Sequence, residues 1–433
     1  MNLPDATNAS AATKLKITIV SAGDSMTGAA RAAARIHRLQ VSRGCNSKML
    51  VASRSEKNWR IEGPVTAYEK VLPHLMPRLN NLIMSLQRSD NPILHSPGLF
   101  GSPAFGRIQR DRADVLNLHW VNHDMLSVRQ IGKLNKPVVW TLHDSWAFCG
   151  SEHHPASATD RRYVDGYSKA NRRSGHWGLD IDRHVWKMKR RLWKRKMFIV
   201  SPSRWLAECA RESSLMADWP IEVIPNALPL DIYRPWDRAT ARALFGLPQD
   251  RPLVLFGAVG GTSNPLKGWA YLQDALKRLA HSHPDVAAVV LGQTQPRDLP
   301  DIGMDVSFIG HLFDDASLAM LYSAVDVVIV PSRLENLPQM ATEAQSCGVP
   351  VVGFNCGGMP DVVEHGKTGY LAAPYDSAEL ASGIAWVISK ATSSNTLGRA
   401  CRLRAEAIWD QDVILAKYLR CYDAAIKAFN EDS

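Results

Sequence analysis

The chain predicts an α/β fold of two doubly wound parallel sheets, and three observations carry that expectation. Short apolar, β-branched runs alternate with longer helical patterns along almost the whole length, the order that builds parallel sheets covered by helices. The runs are apolar throughout and not alternating, as strands buried on both faces require. The 433 residues exceed what one core of ordinary size holds, so two domains are expected.

The elements follow in order. In the first half, strands are predicted at 15–21, 47–51, 115–119, 138–142, 197–200 and 221–224, with an Ala-rich helix over 28–43. Pro225-Asn226-Ala227-Leu228-Pro229-Leu230-Asp231 is rich in turn formers and reads as a hinge. A second series follows, with strands at 253–258, 286–291, 306–309, 325–330 and 349–354 and a helix at 269–281. Residues 414–429 are helical in pattern. The division expected is a tail over 1–13, a first domain over 14–225, a second over 226–408 and a final helix within 409–433. The tail has neither a basic start nor an apolar run, so it reads as disordered and not as a signal peptide.

Composition narrows the function. Hydrophobic residues make up 45% and charged residues 21%, which suits large packed cores. No apolar stretch of about 18 residues or more occurs, so no spanning helix is expected. The seven cysteines are scattered and never form Cys-x-x-Cys, which fits a reducing cytosol and no zinc knuckle. The formal charge of +9 favours nucleic acid, anionic membrane or a phosphorylated ligand as partner. Residues 183–196 hold eight Lys and Arg and no acid. Two readings are open there. The segment is a solvated face capping the first domain, or it lies on anionic lipid with Trp186 and Trp193 at the interface and Arg183, Lys187, Arg190, Arg191 and Lys194 over the phosphates. A second stripe at helix spacing, Leu75, Met76, Leu79, Leu82, Ile83 and Leu86, belongs to core or to membrane.

The segment from Pro331 to Leu371 is the most informative. A strand at 325–330 leads through a short polar loop into a helix from about Pro338, with Glu335 on the loop and Glu343 inside the helix. Backbone N–H groups of Asn336, Leu337 and their neighbours open at the helix N-terminus, where the dipole favours an anion. Carboxylates flanking an anion site suit hydroxyl groups. A phosphate between two sets of hydroxyls is a nucleotide sugar.

The Glu335-x7-Glu343 spacing, the Gly348-Val349-Pro350-Val351-Val352 strand and the Gly357-Gly358-Met359-Pro360-Asp361 turn resemble glycosyltransferase family four. The resemblance runs from about Lys14 to near the end. It implies the GT-B fold, in which two Rossmann-like domains flank a cleft and the last helix crosses back onto the first, acceptor-binding domain. It implies a retaining enzyme whose second domain binds the nucleotide-sugar donor, with Glu335 on sugar hydroxyls, Glu343 on the ribose, and Asn336, Leu337 and Pro338 beside them. The loop with Gly260, Gly261, Thr262 and Lys267 follows a strand, and its lysine and N–H groups can neutralise a diphosphate leaving group. Family members often carry Arg six residues before this lysine, where this chain has Gly261.

Other expectations concern the first domain. The first βα turn carries Gly23, Thr27 and Gly28 near donor phosphate or acceptor, where related enzymes usually have Gly-Gly. His143 and Asp144 end a strand, and the resemblance places His143 near the donor's anomeric carbon. A structural histidine is the alternative. Cys149, His153 and His154 fit no zinc spacing, and GT-B enzymes need no metal, so neither metal nor cofactor is expected. Segments 142–155, 161–173 and 178–191 resemble the exopolysaccharide and colanic-acid-type branch of the family. That branch builds lipid-linked saccharides on the cytoplasmic face of the inner membrane. The implied function is metal-independent transfer of a hexose from a nucleoside diphosphate sugar to a lipid-linked saccharide, by a cytoplasmic enzyme held peripherally on the anionic membrane. An epimerase or hydrolase on the same fold, or a basic nucleic-acid or lipid-binding protein without catalysis, are the alternatives. No helix-turn-helix, OB or RNP pattern supports nucleic acid.

Overall fold

The computed structural model describes residues 15–25, 27–123, 125–157, 159–257, 265–295 and 301–431. The tail predicted at 1–13 and the loop residues Gly260, Gly261 and Thr262 lie outside them. The chain divides into two compact units, one running to Ala227 and resuming at Ile414, the other Leu228–Val413.

In the first unit, β1 (Lys16–Gly23), β2 (Asn46–Ser53), β3 (Ile61–Glu62), β5 (Val115–Leu118), β6 (Val138–Thr141), β8 (Phe198–Ser201) and β9 (Ile221–Val223) form one parallel sheet in the order β3-β2-β1-β5-β6-β8-β9. A small antiparallel ribbon pairs β4 (Gln87–Arg88) with β7 (Trp177–Gly178). The order reverses between β1 and β5, which makes the carboxyl ends of those strands the natural ligand crevice. The unbroken apolar runs have a direct cause. Ile17 and Ile19 face one core while Val20, Leu116 and Leu118 face the other, so both sides of each strand are buried. The last helix, Gln411–Glu431, closes the first of these cores. Ile414, Leu415, Tyr418, Cys421, Tyr422 and Ala425 recur at helical spacing and pack with Ile17, Ala33, Val139 and Val200.

The second unit repeats the plan. Its strands β10 (Leu253–Gly257), β11 (Ala287–Leu291), β12 (Val306–Gly310), β13 (Val327–Val330), β14 (Val351–Phe354) and β15 (Gly369–Ala372) are parallel in the order β12-β11-β10-β13-β14-β15. Val328 and Val330 enter one core, Val327 and Ile329 the other. The switch point lies between β10 and β13, so the loops after those two strands meet. Strand β13 starts later than the apolar run predicts because Asp326 is taken up before it. Its Oδ2 accepts from the Leu253 amide and from Arg242, both at 2.8 Å.

The basic segment corrects the sequence expectation. Trp186 in its helix, Ile181–Leu192, and Trp193 just beyond the helix end are both buried, 4% and 7% exposed. Trp193 donates to the Val128 carbonyl at 2.9 Å and packs edge-on to Trp140 at 5.4 Å. Indoles that bury this much apolar area in a core are not available to a lipid interface. Lys189 is also buried and donates to the carbonyls of Trp146, Cys149 (3.1 Å) and Gly150 (2.8 Å). Lys187, Arg190, Arg191 and Lys194 are exposed and Arg183 half-buried. The other stripe divides. Met76 is buried, whereas Tyr68, Val71, Leu75 and Leu82 of the helix Ala67–Met84, and Leu86 beyond it, are exposed. Among the described residues no helix is long and apolar enough to cross a membrane.

Candidate active site

At the second unit's switch point, main-chain contacts stitch two loops together. The Arg333 amide donates to the Leu266 carbonyl at 2.8 Å. Gly268 lies alongside at φ +69°, where a Cβ would fall 1.9 Å from the Pro331 carbonyl oxygen. Only glycine fits that approach. Lys267 ends a short 3₁₀ turn, Pro265–Lys267, and its ammonium pairs with Glu335 Oε1. Ser332 Oγ donates to the same oxygen at 3.0 Å. The main chain of Glu335 is fixed from the far side by the Gly-Gly turn. The Gly358 amide donates to the Glu335 carbonyl at 2.8 Å, and Gly357 sits at φ +56° against it.

Behind this loop the helix Gln339–Ser346 begins. Pro338 is its N-cap and no side chain caps it, while Asn336, Leu337 and Pro338 form the buried approach. Glu343 lies inside the helix, 1% exposed, and its Oε2 accepts from the Tyr322 hydroxyl at 2.9 Å. Arg333 is a residue the sequence reading missed, although it stands two positions before Glu335. Its guanidinium lies 5.0 Å over the ring of Tyr375, which stacks on Tyr271 at 5.7 Å.

In the first unit the turn after β1 leads to the helix Gly28–Ser42. Thr27 is its N-cap and accepts from the Ala30 amide at 3.2 Å, so this hydroxyl serves the helix, with Gly28 exposed beside it. Asp24 ties the turn to the end of β2 by accepting from the Ser55 and Glu56 amides. Strands β5 and β6 are neighbours, and each is followed closely by a histidine, His119 and His143. His143 Nε2 lies 3.0 Å from His119 Nδ1. Burial pushes His143 down to about 4 against the opposing pull of Asp144, and burial holds His119 well below the usual imidazole range. Both rings are neutral at pH 7.

Asp144, expected at an acceptor or phosphate loop, is committed within the fold. Its carboxylate accepts from Trp120 Nε1 (2.8 Å), His153 Nδ1 (2.6 Å) and the Trp146 amide (2.9 Å). Burial opposes its charge, but His153 and these bonds hold it well below the usual carboxylate range. Ser96 Oγ completes a Ser-His-Asp chain at 2.8 Å from His153 Nε2. Ser96 and His153 are both buried, so this chain fixes the loop and offers no accessible nucleophile. Among the described residues no group of three or more His, Cys, Asp or Glu is arranged to hold a metal ion.

Comparison with known proteins gives the geometry its place. Residues 26–232 match the model of Glycosyltransferase Family 4, and residues 253–390 that of Glycosyl transferases group 1. The two matches fall largely in the first and the second unit respectively. A D-inositol 3-phosphate glycosyltransferase from Mycolicibacterium paratuberculosis is 35% identical over 216 residues, 46% of this chain and 47% of that protein. The counterpart from Mycobacterium bovis is 33% identical over 217 residues, 46% and 44%. The chain spans about half the length of the curated relatives it matches. Among solved structures, a sucrose-phosphate synthase from Thermosynechococcus elongatus superposes with a TM-score of 0.65 at 18% identity, covering 96% of this chain and 100% of that one. HepE of Anabaena in complex with UDP-glucose gives 0.64 at 19% identity, covering 94% and 99%. At these identities the likeness is one of fold, and that fold is GT-B. The Glu335 loop, Lys267 and the helix Gln339–Ser346 fall within the group 1 match, and His119 and His143 within the family 4 match.

Proposed function

We propose that the chain is a retaining glycosyltransferase that moves a hexose from a nucleoside diphosphate sugar to a lipid-linked saccharide in surface polysaccharide assembly. The observation that carries this reading is the Lys267–Glu335 pair, stitched to the N-terminus of the helix Gln339–Ser346 at the switch point of the second sheet. A cation, a helix N-terminus and a carboxylate side by side match a diphosphate joined to a polyol. HepE, whose fold this chain shares, is described with UDP-glucose.

On donor binding the ammonium of Lys267 passes to the diphosphate, and Glu335 receives the sugar hydroxyls. The loop amides meet charge as it develops on the leaving phosphate, and Arg333 adds a second cation in place of the arginine missing at Gly261. The bond from the anomeric carbon to the diphosphate oxygen breaks while the acceptor oxygen bonds on the same face. The acceptor's proton goes to the departing phosphate. Glu343 holds the ribose, and His143 attends the anomeric carbon. No divalent cation takes part in this scheme.

Attachment to the inner face of the plasma membrane follows from the acceptor, which stays in the bilayer. The exposed stripe Tyr68, Val71, Leu75, Leu82 and Leu86, with Trp177 and Leu179 beside its end and Lys70, Arg78 and Arg88 around it, supplies the apolar and cationic faces such docking uses. The test is product analysis with UDP-, GDP-, ADP- and dTDP-sugars, with and without polyprenyl-diphosphate-linked saccharide, in the presence of EDTA. Transfer only when acceptor is added supports the proposal. Epimerised or hydrolysed donor at equal rates without acceptor would replace it with sugar-nucleotide chemistry of another kind.

A further inference from the structure

From the chain of buried contacts behind His143, we propose that Asn117 and His119 are positioning residues that fix His143 as its Nε2–H tautomer. Nδ1 is then proton-free, so that any hydrogen bond His143 makes through it is made as an acceptor. The functional half of this inference rests on the transfer reading above. The tautomer itself does not.

The assignment starts at Asn117, which is fully buried in β5. Its Nδ2 lies 3.1 Å from the Val139 carbonyl oxygen and 3.1 Å from Thr141 Oγ1. A carbonyl only accepts, so the amide nitrogen must face β6 and Oδ1 must point away. Tyr422, from the last helix, agrees with that orientation. Its hydroxyl accepts from Gln40 Nε2 at 2.8 Å and donates to Asn117 Oδ1 at 2.9 Å. The same Oδ1 lies 3.3 Å from His119 Nε2, and an amide oxygen has no proton to give. His119 therefore carries its proton on Nε2 and leaves Nδ1 as an acceptor. His119 Nδ1 faces His143 Nε2 at 3.0 Å, so the proton between the two neutral rings belongs to His143. Each link leaves the next a single choice. The carbonyl of Val139 and the hydroxyl of Tyr422 set the amide, the amide sets His119, and His119 sets His143.

A histidine used in this way accepts a hydrogen bond from a hydroxyl and donates none to it. In transfer chemistry that suits a sugar or acceptor hydroxyl and not an oxyanion.

Long-range proton–nitrogen correlation spectra of protein labelled with ¹⁵N-histidine read the tautomer directly, with the His143 signals assigned by their loss in His143→Gln. In the parent, His143 is expected to show a protonated Nε2 and an unprotonated Nδ1. His119→Gln offers His143 either an oxygen or an NH₂ group, and Asn117→Ala removes the acceptor that orients His119. Both variants should give mixed tautomers at His143. A parent spectrum with the proton on Nδ1 overturns the assignment, and pure Nε2–H in folded His119→Gln overturns the relay. Should Asn117→Ala fail to fold, the parent and His119→Gln spectra decide both points. The spectra are taken without donor or acceptor, so they are informative even if the chain transfers no sugar.

Discussion

Gly357 offers the sharpest way to move Glu335 without touching its side chain. A Cβ at Gly357 would sit 2.6 Å from the Glu335 carbonyl oxygen and 3.3 Å from its amide nitrogen, and the residue is at φ +56°. Gly357→Ala therefore introduces two effects. The left-handed backbone costs about 1–2 kcal/mol with a side chain present. The contact must also open by several tenths of an ångström, and what gives is the Glu335 main chain, because Cys356, just before Gly357, is tied to the end of β14 through its amide and the Phe354 carbonyl. A displacement approaching 1 Å in a positioning group lowers catalysis by about 10²-fold. Stability should fall by roughly 1–3 kcal/mol, a few degrees in Tm for a unit of this size. The expected result is kcat/KM down about 100-fold in sugar transfer, with binding of the free nucleoside diphosphate by calorimetry close to the parent. Parental kcat/KM in a variant whose Tm has dropped would show that Glu335 is not held in place for chemistry by this turn, and the reasoning would fail.

Three further outcomes are expected. Glu343→Gln keeps an oxygen for the Tyr322 hydroxyl but loses a charge-assisted bond to ribose, so nucleotide affinity should fall by roughly 1.5–3 kcal/mol, whereas Glu335→Ala should lower turnover and leave free nucleotide binding intact. Calorimetry on the two variants checks the division of roles, and equal losses would refute it. Lys189→Met leaves the carbonyls of Trp146, Cys149 and Gly150 without their donor in the core and should cost about 2–4 kcal/mol in chemical denaturation, far more than Lys187→Met at the exposed position before Met188. The last concerns pH. Burial lowers His37 and His143 from 6.5 to about 4, so the unfolded chain binds more protons between those values and stability must fall as pH falls through that window, by up to about 3 kcal/mol for each ring. Denaturation midpoints flat from pH 6.5 to 4 would contradict it, and His143→Gln should remove part of the slope.

The parts of this molecule that were legible in its sequence are those where one strand decides the matter. Runs such as 253–258 and 325–330 are apolar at every position because alternate side chains enter two different cores, and a buried parallel strand is the simplest element with that demand. The nearness of Lys267 and Glu335 was legible for a related reason. Their loops follow β10 and β13, which are neighbours at the switch point although about 70 residues apart in the chain. The basic helix was not legible. Its pattern of cations and tryptophans is the same whether the indoles meet lipid or a core, and what decides is a cluster of Trp140 and Trp146 brought from elsewhere in the chain. The ammonium of Lys189 is likewise explained only by three carbonyls that another loop turns towards it.

His119 falls between these cases. The pairs Leu118-His119 and Leu142-His143 each follow an apolar run, and two such runs in adjacent parallel strands bring their trailing residues to the same edge. That much was available from the sequence. The direction of the proton between them was not, because it depends on which way one buried amide faces, and that is set by the last helix and by the neighbouring strand. The crossover of the last helix onto the first unit thus has a chemical consequence as well as a packing one. Tyr422 closes a core and also supplies the proton that keeps the Asn117 oxygen pointed at His119, so a residue near the end of the chain helps determine which nitrogen His143 can offer.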